Sequence, residues 1–151
     1  MFEFLSEFSQ TVSGQVASAF PEWIGRARVE EDAHGERAFV LAIDPPSRNV
    51  AHALRIDTFR DEVTISFDSH HEHFDDFFDG TPHDAFTLVR SLVSGAKVAV
   101  SYWRNDEWCG STLLEERNIP VSNDEHPYAN LIKVRCWSGA IDDDISCTPR
   151  G

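Results

Sequence analysis

Apolar residues in this chain repeat at two spacings, and the switch between them limits what it can fold into. Phe4, Phe8, Val12, Val16 and Phe20 recur every fourth residue, with Leu5 and Ala19 beside them. One slowly rotating stripe of this kind predicts a helix from about Phe2 to Ala19, weakened in its middle by Gly14 and stopped by Pro21. A second helix is better punctuated. Thr81-Pro82-His83-Asp84 offers an N-cap, a proline at the first helical position and an acid that closes a capping box. Phe86, Val89 and Val93 then share one face, flanked by Leu88 and Leu92, and Gly95 caps the end.

Elsewhere the period falls to two. Arg26 to Glu31 and Arg37 to Ile43 flank Ala33-His34-Gly35 and read as a hairpin, closed off by Pro45-Pro46-Ser47. Val50 to Asp57, Val63 to Phe67, Val98 to Trp103, Trp108 to Leu114 and Leu131 to Trp137 alternate in the same way. Short turns between consecutive strands argue for antiparallel pairing. The expectation is an α+β fold: an antiparallel sheet of about six or seven strands with two main helices, one N-terminal and one central. A length of 151 residues fits a single domain across 1–151, with a loose tail from about Asp142.

Composition narrows the partners. Against 13 Lys+Arg stand 26 Asp+Glu, a formal net charge of -13. Such a chain repels phosphate backbones and anionic membrane surfaces, so neither nucleic acid nor membrane is expected. A basic protein would be steered toward it, and support of solubility alone is the equally open alternative. With only Lys97 and Lys133 as lysines, the acids at Glu30-Glu31-Asp32, Asp75-Asp76 with Asp79, Glu115-Glu116, Asp124-Glu125 and Asp142 to Asp144 have few flexible partners, although any single run reads as a solvated loop. Acid at Glu3 and the lack of a long apolar run give no signal peptide or membrane span. Cys109, Cys136 and Cys147 are odd in number and form no C-x-x-C pair, so reduced thiols and a cytoplasmic location are expected.

Two clusters carry chemistry. Asp68 to Asp76 holds His70, His71, His73 and Asp75, residue types that ligate zinc or another transition metal. The spacing matches neither H-E-x-x-H nor, for want of P-C-x-x-C, the zinc deaminases; a polar surface loop at a strand end is the plainer reading. The second cluster, Tyr102 to Trp108, brings two Trp rings and Arg104 to a hairpin tip. Trp, Tyr and Arg are the usual anchors of protein interfaces. Tyr102 shares the apolar face of Val98 and Val100 and is expected in the core, while Trp103 and Trp108 are open between core and surface. No phosphate-binding, dinucleotide-binding or nucleophile-elbow motif is present, so no catalytic residue and no cofactor are expected.

Three stretches in order, Val63-Thr64-Ile65-Ser66-Phe67-Asp68-Ser69-His70-His71-Glu72-His73-Phe74, the helix from Asp84 to Val93, and Val98 to Trp103 leading to Cys109-Gly110-Ser111-Thr112-Leu113, resemble small bacterial immunity proteins of polymorphic toxin and contact-dependent inhibition systems. The resemblance covers roughly the middle third of the chain. It implies a non-enzymatic cytoplasmic protein that binds and neutralises one cognate, basic toxin domain. Asp75, Asp76, Asp79, Trp103, Arg104 and Trp108 are the expected contacts. A metal-dependent enzyme or metal-binding protein using His70 to Asp76, and a homo-oligomeric interaction domain, are the alternatives.

Overall fold

The computed structural model describes residues 2–75 and 84–150. Among the described residues two α-helices, α1 (Glu7–Ala19) and α2 (Asp84–Ser94), accompany nine strands in two antiparallel sheets, so the α+β class holds. The expected single sheet of six or seven strands is corrected to a five-stranded and a four-stranded sheet. The chain divides into two compact units. One holds the described residues within Met1–Asp44, Ala53–Ser66 and His71–Val89, the other those within Pro45–His52, Phe67–His70 and Arg90–Gly151.

In the first unit, α1 starts later than its stripe suggests because Ser6 caps it. The Ser6 hydroxyl accepts from the Ser9 amide at 3.1 Å. Phe2–Phe4 forms a separate turn of 3-10 helix, which leaves Phe4 exposed. The helix buries Phe8, Val12 and Val16, and Phe20 closes it by donating its amide hydrogen to the Val16 carbonyl. The first sheet runs β1 (Arg28–Glu31), β2 (Arg37–Ile43), β3 (Leu54–Phe59), β4 (Glu62–Phe67) and β5 (His70–Phe74), in that spatial order. Alternation sends Phe39, Leu41, Ile43, Leu54, Ile56, Val63 and Ile65 inward, all buried. Thr58 is the polar exception: its Oγ1 accepts from the Phe39 amide at 3.0 Å and lies 2.7 Å from Ser9 Oγ, tying α1 to the sheet. Residues of opposite parity carry ion pairs. Glu30 takes Arg28 at 2.8 Å and Arg55 at 3.0 Å, and Arg55 reaches Asp57 at 2.7 Å. The hydrogen bond from Arg28 above all, aided by Arg55, holds the Glu30 carboxyl below its ordinary pKa despite some burial.

The second unit is built on β6 (Val98–Arg104), β7 (Glu107–Leu114), β8 (Leu131–Arg135) and β9 (Asp143–Ser146), ordered β7-β6-β8-β9. Its core is Val98, Val100, Tyr102, Ile132, Val134, Ala129 and Cys136. Past Asp142, where a tail was expected, β9 pairs antiparallel with β8, and the Arg150 amide donates to the Pro127 carbonyl at 2.7 Å. The acids there serve the fold. Asp142 Oδ1 accepts from the Cys136 amide at 2.7 Å, and Oδ2 from Ser47 Oγ at 2.5 Å and Asn49 Nδ2 at 3.0 Å. Burial alone would raise the Asp142 pKa; these hydrogen bonds outweigh it and lower it. Asp144 pairs with the buried Arg135 at 2.7 Å. Asn123, also buried, spreads its amide hydrogens over the carbonyls of Pro127, Ala129 and Thr148 at 3.1, 2.8 and 2.9 Å.

Candidate protein-interaction site

The β6–β7 hairpin turns through Asn105 and Asp106, with φ of 46° and 70°. Two successive left-handed residues make the type of turn whose twist matches paired strands, and Asn and Asp tolerate it better than most residues. Asn130 fixes this turn: its side-chain amide donates to Asn105 Oδ1 at 2.9 Å, and its backbone amide donates to the Trp103 carbonyl at 2.8 Å. Just before the turn Trp103 pairs with Trp108, while Tyr102 pairs with Gly110. The unmatched Cys109 makes a bulge that re-aims the strand.

This geometry resolves the aromatic cluster. Tyr102 is 1% exposed and is core, as expected; burial raises the pKa of its hydroxyl, with the negative charge of Glu125 adding to it. Trp103 is half-buried: its Nε1 donates to Ser101 Oγ at 2.8 Å, and the Lys133 ammonium stands 4.5 Å from its ring centroid. Trp108 is 53% exposed. Arg104 stacks its guanidinium 4.9 Å over the ring of Tyr128, itself 56% exposed. The tip therefore presents Trp108 on the face of its partner Trp103 and the Arg104–Tyr128 pair on the other face, beside the exposed acids Asp106 and Glu107. Tyr128 belongs to no motif; its one sequence signal is a lone aromatic inside the polar stretch from Ser122 to Asn130.

The histidine cluster falls apart differently. The polar loop expected there is strand β5, and alternation puts His71 and His73 on one face and His70 on the other. The His71 and His73 rings meet edge to face at 5.1 Å. His73 Nδ1 lies 2.9 Å from Glu62 Oε1 and 2.8 Å from Thr64 Oγ1. His70 Nδ1 lies 2.8 Å from Ser111 Oγ, which also lies 3.3 Å from the Ser69 carbonyl. Among the described residues no three His, Cys, Asp or Glu side chains are grouped to hold a metal ion. Asp75 is exposed just beyond β5, in the first unit, whereas Trp103, Arg104 and Trp108 belong to the second. Asp76 and Asp79, and the Thr81-Pro82-His83 helix start, lie outside the described residues. Among the described residues no helix is long and apolar enough to cross a membrane. No protein family model, curated protein or solved structure matches the chain.

Proposed function

We propose that this chain is a non-enzymatic, cytoplasmic immunity protein that captures a cognate basic toxin domain and neutralises it by covering its surface. The observation that carries this reading is the hairpin tip, where Trp108 and Tyr128 stand more than half exposed and Arg104 is preset on the Tyr128 ring. Large aromatic side chains left in water on a fixed backbone favour a binding surface over a packing role. The net charge of -13 supplies the second ingredient, faster encounter with a cationic partner. A metal enzyme finds less support, because the strand separates His70 from His71 and His73. A homo-oligomer must bring two such charges together, which opposes association.

The test is co-expression with the C-terminal domain encoded by the adjacent reading frame. The reading expects that domain to arrest growth alone and to be silenced by this chain, and Trp108→Ala to weaken protection. A harmless neighbour, or full protection by a variant lacking Trp108, Arg104 and Tyr128 side chains, sinks it. Light scattering showing a stable dimer would favour the self-association reading instead.

A further inference from the structure

At one end of the first sheet the β1–β2 and β3–β4 turns and the Phe2–Phe4 helix line two adjoining clefts, of about 260 and 410 Å³. The clefts share Glu36, Arg37 and Arg60, so they form one groove. Phe59 borders its first half and Phe4 its second, 53% and 69% exposed. Two phenyl rings, each more than half exposed at the walls of one groove, form an apolar surface open to a ligand's side chains.

Charge decides what fits between them. Arg37 is paired with Glu31 at 3.2 Å and lies 5.6 Å over the Phe4 ring, while Arg60 lies 5.3 Å over Phe59 and keeps its charge, one cation against two carboxylates in the second cleft. Arg55 at the groove floor is held by Glu30 and Asp57. The carboxylates of Glu36 and Asp61, both lining the second cleft, make no ion pair among the described residues. We propose that this groove docks an extended basic segment of a protein partner, its apolar side chains against Phe4 and Phe59 and a lysine or arginine between Glu36 and Asp61. A second copy of this chain is a poor occupant, since it would carry its own charge of -13 toward the same carboxylates. The proposal rests on the partner being cationic, and not on the β6–β7 tip.

The experiment is a titration of the ¹⁵N-labelled full chain with a blocked Leu-Lys-Leu-Lys-Leu peptide, with Leu-Glu-Leu-Glu-Leu as control. The lysine peptide is expected to shift the backbone amides of Gly35, Glu36, Arg60 and Asp61 saturably. Joint E36Q and D61N substitution should weaken it roughly fivefold to tenfold, as expected for two exposed charges. F4A should also weaken it, and Trp108→Ala should leave it unchanged. Equal shifts from the glutamate peptide, shifts confined to other residues, no saturable shift, or an unaltered E36Q/D61N variant each overturn the proposal. So do the same shifts on concentrating the chain without peptide, which would mark a self-interface. Toxin protection is a separate readout, so its loss or survival does not alter what the titration decides.

Discussion

Gly110 lies beneath the imidazole of His126 so closely that a β-carbon there would sit 2.4 Å from His126 Cε1 and 2.8 Å from Nε2. The same ring packs on Tyr102, with centroids 4.4 Å apart. The β6–β7 bulge, the core tyrosine and the segment leading to Tyr128 therefore share one contact. Gly110→Ala is expected to cost about 2 kcal/mol of unfolding free energy, the range of an overpacked site. In a His126→Ala background the same change should cost clearly less, because the clash is gone. Urea unfolding of the four proteins measures this; equal costs in both backgrounds would show that the ring is not what excludes the side chain.

Asp142 gives the fold an acid-sensitive joint. Its folded pKa is lowered, so its contribution is fully present above the ordinary carboxylate value of 3.8 and is lost as pH falls through the lower folded value. Asp142→Asn keeps an acceptor for one neighbour but loses the charge that Ser47, Asn49 and the Cys136 amide all address. The variant should be less stable at neutral pH by about 1 kcal/mol, discounted for partial exposure. The gap between it and the parent should narrow below about pH 4. A gap that stays constant down to pH 2 would contradict this account.

Trp103 and Trp108 face each other across the hairpin, yet their replacement should have opposite consequences. Trp103→Ala removes a half-buried ring, its bond to Ser101 and the seat of the Lys133 ammonium. It should lower stability by about 2 kcal/mol. Trp108→Ala should change stability by less than about 0.5 kcal/mol, as surface substitutions do, while weakening partner binding by about tenfold or more. Paired thermal melts and binding measurements separate the two, and a large stability loss for Trp108→Ala would remove it as a contact anchor.

Both helices and seven of the strands were legible because their apolar residues keep a period that water enforces. Val63, Ile65 and Phe67, for instance, are buried in turn while Thr64 and Ser66 are not. Strand β5 was not legible. His70 to Phe74 has polar residues at nearly every position, and its pairing in the sheet, rather than its own hydrophobicity, makes it a strand. Strand β9 was hidden for a similar reason. Asp143 and Asp144 read as solvated charges, whereas the buried guanidinium of Arg135 gives Asp144 a partner that no local pattern announces. Acid count therefore overstated the surface field: Asp142, Asp144 and Asp68 are committed within the fold, the last accepting the Ala51 amide at 2.8 Å. At the tip, Trp103, Arg104 and Trp108 were visible as residue types, but Tyr128 reaches Arg104 from far along the chain.

The Asn123 amide has a bearing on Tyr128 that its hydrogen bonds alone do not state. Pro127 and Ala129, the residues on either side of that tyrosine, both present their carbonyls to the same nitrogen. The backbone carrying the ring is thus pinned before and after it, although the ring itself stands in water. A partner that closes over Tyr128 need not order the loop beneath it, and more of the contact energy is left to slow dissociation.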